Sequence, residues 1–146
     1  MNNRLFIFDL DGVLVDSKEI HFNALNQALL LVGSQYVISP KEQREIFEGL
    51  TTNQKLEILT KTRNLPEYKY DFIWKNKQLN SISFFKELKQ DLDLINAFKL
   101  IKHSGIKIAV ASNSIQKTLE TCLESLGIID FLDYYISNEG RSSPQT

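Results

Sequence analysis

Short apolar runs alternate with longer segments of helical periodicity along this chain of 146 residues. The segments 4–9, 106–111 and 134–137 are short and dominated by apolar residues, which predicts three β-strands. Helical spacing of apolar residues predicts helices at 93–103 and 115–126. This alternation predicts a parallel sheet with right-handed crossovers. Because the strands are almost continuously apolar, we expect helices on both faces of the sheet.

The segment between the first strand and the second half of the chain has only helical patterns. We therefore predict an α/β protein in which an all-helical segment, residues 17–90, is inserted into a sheet of about three strands. Ser39 is the expected N-cap of one inserted helix, since Pro40 suits a first helical position. The helices predicted in the insert lie at 17–32, 41–47, 52–62, 66–79 and 83–89.

Two carboxylates, Asp9 and Asp11, follow the first predicted strand, and Gly12 allows a sharp turn there. Ligands of open α/β sheets bind outside the carboxyl ends of the strands. Two like charges at such a place cost free energy unless a cation or a shared proton offsets them. The pattern predicts a Mg²⁺ site at which a carboxylate does chemistry. An EF-hand loop is excluded, because its twelfth position requires Glu and here holds Ile20.

Composition limits the classes of partner. The formal net charge is −1 and the basic residues are scattered, so we expect no nucleic-acid partner. A single cysteine, Cys122, cannot form an internal disulfide, which fits a reducing cytoplasm. The sequence has no signal-peptide pattern and no stretch near the roughly 20 apolar residues that cross a bilayer. We expect a cytoplasmic protein without a membrane partner.

Two motifs resemble those of the haloacid dehalogenase-like hydrolases. The pattern D-x-D-G-x-x-x-D-S, which begins at Asp9, resembles the first motif of that family, and 106–114 resembles the second, an apolar strand that ends in Ser or Thr. The segment after His21 resembles the entry to the helical cap of the subgroup that contains β-phosphoglucomutase and phosphoglycolate phosphatase. The resemblance implies an incomplete Rossmann-like core, residues 1–16 and 91–146, with a helical cap at 17–90.

The resemblance also implies a reaction. Asp9 would be the nucleophile that forms an aspartyl-phosphate, and Asp11 would be the general acid and base. Mg²⁺ would bind the Asp9 carboxylate and the Asp11 backbone carbonyl. The substrate would be a small phosphorylated metabolite, and Ser112 with Asn113 would contact its phosphoryl oxygens. A role for Ser112 as a helix N-cap is the structural alternative.

Further substrate contacts are implied at Gly12, His21 and Thr51, although a His at a helix start is often structural. Thr51 belongs to a segment, 49–52, that resembles the cap loop through which the family selects substrates. The mutase has a basic residue where this chain has Thr52. We therefore favour a phosphatase and keep a phosphosugar mutase as an alternative.

The family pattern breaks near Thr146, where the sequence ends. The third motif supplies a Lys, and here Arg141 either takes its place or belongs to an unrelated polar tail of six residues. The fourth motif, an acidic pair that completes the Mg²⁺ shell, has no counterpart. A truncated phosphatase with little activity, an active phosphatase and a non-catalytic binding module all remain open. We also expect the first strand to be an exposed edge that promotes self-association, and one sheet face to lie bare.

Overall fold

The computed structural model describes residues 3–142, which form an α/β fold of four strands and six α-helices. They divide into two compact units. We call residues 1–18 with 82–146 the sheet unit and residues 19–81 the helical unit. The predicted fold class is confirmed, whereas the predicted domain bounds, 1–16 with 91–146 and 17–90, stay a prediction.

The sheet has the strand order β1-β2-β3-β4. The first three strands, β1 (Leu5–Asp9), β2 (Lys107–Ala111) and β3 (Tyr134–Ser137), are parallel, as predicted. The fourth, β4 (Gly140–Ser142), is antiparallel to β3 and was not predicted. Its strand conformation corrects the prediction of an irregular polar tail, at least as far as residue 142. Gly140 allows the reversal because its φ is 129°.

Both helices of the sheet unit pack on one face of the sheet. These helices are α5 (Leu92–His103) and α6 (Gln116–Leu126). The Phe98 ring of α5 lies 5.3 Å from the Phe8 ring, and Glu120 of α6 accepts a hydrogen bond of 2.9 Å from the Tyr135 hydroxyl. Phe8 and Tyr135 lie on the same face of the sheet, because both are register partners of Val110 in β2. Over residues 3–142, helices of the sheet unit thus cover one face, where the apolar strands alone had suggested helices on both. Successive right-handed crossovers in one direction place their helices on the same side.

Strand β1 is the edge of the sheet, and its apolar side chains are exposed. Leu5 is 46 % exposed and Ile7 is 61 % exposed, and both lie on the face opposite to α5 and α6. Ile136 of β3 is exposed on that same face. The predicted exposed edge and bare face are thus confirmed for the described residues.

The helical unit has its own apolar core, which includes Leu29, Ile38, Leu56 and Ile73. Ser39 caps the short helix that begins at Pro40, as predicted. One difference concerns the last helix, because the predicted separate helix at 83–89 is the end of a single continuous helix. The α-helices that lie mostly in this unit are α1 (Lys18–Leu30), α2 (Pro40–Glu42, continued by a π-helical turn Gln43–Phe47), α3 (Thr52–Arg63) and α4 (Tyr70–Lys86).

Candidate active site

A hollow of about 440 Å³ lies at the carboxyl ends of the parallel strands. Asp9 ends β1, and Ala111, the residue before Ser112, is its register partner at the end of β2. Parallel pairing therefore brings Asp9 and Ser112 together, although 102 residues separate them in the chain. Polar residues that line the hollow are Asp9, Ser112, Asn113, Ser137 and Asn138.

The Asp9 carboxylate is exposed and is oriented by its own backbone neighbour. The Leu10 N–H donates a hydrogen bond of 2.8 Å to Asp9 Oδ1. Leu10 is fully buried, so the backbone group that holds the carboxylate is itself fixed by the core.

A tight loop after β1 positions Asp11. Gly12 has a φ of 77°, and its N–H donates to the Val15 carbonyl at 2.8 Å, so the predicted sharp turn is confirmed. Ser17, only 3 % exposed, donates a hydrogen bond from its hydroxyl to Asp11 Oδ1. Sequence reasoning did not assign this role to Ser17. The available signal was a serine at the end of the acidic motif, where α1 begins.

The loop after β2 is held by main-chain contacts. Ser112 N–H donates to the Ile136 carbonyl at 2.8 Å, and Ser112 Oγ accepts from Ser114 N–H at 3.1 Å. Ile115, not Ser112, is the N-cap of α6. The N-cap alternative for Ser112 is therefore wrong, and its hydroxyl lies in the loop that borders the hollow.

The first N–H of α6 is already bonded to a carboxylate. Gln116 N–H donates to Glu139 Oε2 at 2.6 Å. A negative side chain at a helix N-terminus is stabilised by the helix dipole. The sequence analysis did not single out Glu139 as a partner of this helix terminus. The N–H of Gln116 is therefore already satisfied by a side chain of the protein.

Arg141 does not line the hollow. Its guanidinium lies 5.0 Å from the centre of the Tyr134 ring, at the start of β3, whereas the hollow lies at the end of that strand. The pairing of Arg141 with Ile136 in the β3–β4 hairpin directs it along the bare sheet face. Among the residues that form the hollow in the described part of the chain, none is Lys or Arg. The expected replacement of the family Lys by Arg141 stays a prediction without support from this position.

His21 and Thr51 both belong to the helical unit. His21 lies in the first turn of α1 and is half-buried. Thr51 is the N-cap of α3: its hydroxyl accepts from Gln54 N–H at 3.2 Å, and the Gln54 side chain accepts from Thr51 N–H at 2.9 Å. This reciprocal cap gives Thr51 a structural role. The predicted substrate contacts of both residues stay predictions.

The electrostatics of the sheet unit keep its cysteine inert. Burial, together with the nearby Asp11 carboxylate, raises the pKa of the Cys122 thiol to about 12. A thiol with so high a pKa stays neutral at physiological pH and is a poor nucleophile. Asp9 is therefore a better candidate for covalent chemistry than Cys122.

The donor atoms of the hollow fit a hard cation. Over residues 3–142, no group of three His, Cys, Asp or Glu side chains converges on one point. The hollow instead offers an exposed carboxylate, a hydroxyl and an amide, from Asp9, Ser112 and Asn113. Mg²⁺ takes oxygen ligands and keeps several waters, so one or two protein ligands suffice.

No helix in the described range is long and apolar enough to cross a bilayer.

The chain is similar to several known proteins. It is 25 % identical over 143 residues to the phosphorylated carbohydrates phosphatase of Thermotoga maritima, a match that covers 95 % of this chain and 65 % of the relative. The crystal structure of β-phosphoglucomutase from Clostridium difficile matches with a TM-score of 0.67 and 23 % identity, over 95 % of this chain and 63 % of that one. CbbY from Rhodobacter sphaeroides, solved in complex with phosphate, matches with a TM-score of 0.72 and 19 % identity, over 92 % and 63 %.

The chain thus spans less than two thirds of the length of each of these relatives. The structural matches confirm the fold that the sequence predicted. The family profile described as haloacid dehalogenase-like hydrolase matches residues 6–144, which is nearly the whole chain. This chain belongs to the haloacid dehalogenase-like hydrolase family.

Proposed function

We propose that the protein is a phosphatase that hydrolyses a small phosphorylated metabolite through an aspartyl-phosphate. The observation that carries the proposal is the exposed Asp9 carboxylate beside the Ser112 loop, at the ends of two adjacent parallel strands. Phosphorylated sugars are the first substrates to examine, because the Thermotoga maritima relative is named for phosphorylated carbohydrates. The composition favours a cytoplasmic location.

In the proposed reaction, Asp9 Oδ2 attacks phosphorus while Leu10 N–H holds Oδ1. The bond between phosphorus and the leaving oxygen breaks, and Asp11 gives that oxygen a proton. Asp11 then accepts a proton from water, which attacks the aspartyl-phosphate and releases phosphate. Ser112 and Asn113 contact the phosphoryl oxygens. Ser17 keeps the Asp11 side chain in one position before the first proton transfer.

Bound Mg²⁺ would reduce the repulsion between the Asp9 carboxylate and the phosphoryl oxygens. The Asp9 side chain and the Asp11 backbone carbonyl are the proposed ligands, with water in the remaining positions. This arrangement predicts weak Mg²⁺ affinity, since the hollow offers a single carboxylate.

A non-catalytic binding module is the second candidate. The observation that favours it is that no Lys or Arg of residues 3–142 lines the hollow. Without a fixed positive charge, the transferred phosphoryl group loses a stabilising contact in the transition state. Thr52, in place of a basic residue, argues against a phosphosugar mutase.

Hydrolysis of an aryl phosphate and a panel of sugar phosphates, with and without Mg²⁺, separates the candidates. The purified chain is compared with Asp9→Asn and with Asp130→Asn, an exposed aspartate that is remote in sequence from both motifs. A phosphatase shows Mg²⁺-dependent turnover that Asp9→Asn abolishes and Asp130→Asn preserves. Absence of turnover in a folded sample would refute the phosphatase proposal for this chain and favour the binding module.

A further inference from the structure

Two loops border the hollow, and main-chain hydrogen bonds join them. One loop follows β2 and carries Ser112, and the other follows β3 and carries Asn138. Ser112 N–H donates to the Ile136 carbonyl at 2.8 Å, and Asn138 N–H donates to the Ser114 carbonyl at 3.1 Å. These two bonds extend the contact between β2 and β3 beyond the ends of the strands. The polar side of the hollow therefore depends on how the two loops are held together.

A third bond between the two loops comes from a charged side chain. Glu139 Oε2, in the turn between β3 and β4, accepts a hydrogen bond of 2.6 Å from Gln116 N–H. A hydrogen bond to a carboxylate is shorter and roughly twice as strong as one between neutral groups. Glu139 thus joins the β3–β4 turn to the first residue of α6, which follows the Ser112 loop directly.

Helix α6 has no side-chain cap of its own at this end. Its N-cap residue is Ile115, whose side chain makes no hydrogen bond to the helix. Ser, Thr, Asp and Asn are preferred at an N-cap because their side chains accept from the first N–H groups, which Ile cannot do. A carboxylate near a helix N-terminus also interacts favourably with the helix dipole. Glu139 therefore supplies, from a distant segment, the acceptor that the local sequence lacks.

The hydroxyl of Ser112 is oriented from within the same loop. Ser112 Oγ accepts a hydrogen bond of 3.1 Å from Ser114 N–H. A hydroxyl has one donor and two acceptor positions, so this contact uses an acceptor and leaves the O–H available to a bound anion. Ser114 lies two residues before Gln116. A displacement of the start of α6 would therefore move the N–H that orients the Ser112 hydroxyl.

We propose that Glu139 is a positioning residue of the hollow. By holding Gln116 N–H, it fixes the loop 112–115 and, through Ser114 N–H, the direction of the Ser112 hydroxyl. Glu139 is not among the residues that line the hollow, so it acts through the loop and not by contact with the ligand. The inference rests on the proposed function in one respect, namely that the ligand of the hollow is a phosphoryl group.

The rest of α6 is held independently of Glu139. Glu120 Oε1 accepts a hydrogen bond of 2.9 Å from the Tyr135 hydroxyl and one of 2.8 Å from the Gln116 side chain. Leu119 and Leu123 of the same helix are fully buried. Removal of the Glu139 side chain should therefore loosen the loop without unfolding α6.

Binding of inorganic phosphate measures the positioning. The ¹⁵N-labelled chain is titrated with phosphate in the presence of Mg²⁺, and the amide shifts of residues 112–113 give the Kd. Glu139→Ala should raise this Kd roughly threefold or more, because the Ser112 contact is weakened. Glu139→Gln, which keeps an acceptor oxygen, should recover part of the loss. If Glu139→Ala fails to fold, Glu139→Gln is compared directly with the unmodified chain.

The direction of the change separates positioning from simple electrostatics. Loss of a negative charge near the hollow would by itself strengthen the binding of an anion, whereas loss of positioning weakens it. Glu124→Ala is the matched control, because Glu124 is exposed in the last turn of α6 and its loss changes the net charge by the same amount. This variant should bind phosphate as the unmodified chain does. Tighter binding by Glu139→Ala would overturn the proposal.

Amide hydrogen exchange and urea unfolding separate positioning from stability alone. Exchange at Ser114 N–H and Gln116 N–H should accelerate about tenfold in Glu139→Ala, whereas Leu123 N–H should be unaffected. A lower urea midpoint with unchanged phosphate affinity would reduce Glu139 to a structural cap and overturn the proposal, as would unchanged exchange at Ser114. If the unmodified chain neither binds phosphate nor hydrolyses esters, the proposed function fails, and the exchange at Ser114 still decides whether Glu139 positions the loop.

Discussion

Replacement of Ser17 by Ala tests how the acidic loop is held. Ser17 is 3 % exposed, and its hydroxyl donates to the Asp11 carboxylate. A hydrogen bond to a charged group contributes about 1.5–3 kcal/mol to stability. Asp11 is half-buried, so water recovers part of that amount in the variant. We expect Ser17→Ala to lower the free energy of unfolding by about 1–2 kcal/mol, and Ser17→Thr, which keeps the hydroxyl, to lower it less.

Urea unfolding followed by circular dichroism measures this change. Ser81→Ala is the matched control, because Ser81 is 1 % exposed but its hydroxyl donates to the Lys77 carbonyl within α4. That carbonyl lies one turn back on the same helix, so the loss of Ser81 should cost little. If Ser17→Ala is as stable as Ser81→Ala, the contact between Ser17 and Asp11 does not hold the loop, and the reasoning fails.

Three further predictions concern the backbone, pH and thiol chemistry. Gly12→Ala should cost about 1–2 kcal/mol in urea unfolding, because the φ of 77° disfavours a Cβ although no atom lies within 4 Å of it; Gly12→Asn, which tolerates this φ better, should cost less. Bonds from Ser39, together with Arg63, lower the pKa of Glu42 below 4.5, so its stabilisation is present above that pH and is lost as the pH falls. Glu42→Gln should flatten this pH dependence in melts from pH 7 to 3, and an unchanged slope would contradict it. Cys122 should react with a thiol reagent at pH 8 far more slowly in the native protein than in urea, and equal rates would show that the thiol is exposed.

Local patterns predicted the elements that short-range rules govern. The strand before Asp9, the turn at Gly12 and the cap at Ser39 each depend on neighbouring residues, and each lies where the sequence predicted it. Parallel pairing also follows from strand–helix alternation. A helical crossover returns the chain to the end of the sheet at which the previous strand began, so the next strand runs in the same direction. This topology brings the ends of β1 and β2 together, which places Asp9 beside the residue before Ser112.

Predictions failed where a residue's neighbours are distant or where two patterns compete. Arg141 has no apolar run around it, and its strand exists because the hairpin pairs it with Ile136. The separate helix predicted at 83–89 was suggested by polar residues, yet α4 continues through 83–86. Ser17 donates a hydrogen bond to Asp11, and Glu139 accepts one from Gln116. The contact between Glu139 and Gln116 joins two segments that lie far apart in the sequence.

The sequence by itself determined the order of the elements and the placement of Asp9 and Ser112 directly after apolar strands, because both depend on local periodicity and on residue type. The roles expected of these residues came from the resemblance to the family. Only the tertiary structure decided that α5 and α6 cover the same face of the sheet and that Glu139 occupies the start of α6. These features depend on the direction in which successive crossovers place their helices, and on contacts that form only after the sheet has assembled. The position of Asp9 at the end of β1 was therefore predictable, whereas the carboxylate at the start of α6 required the fold.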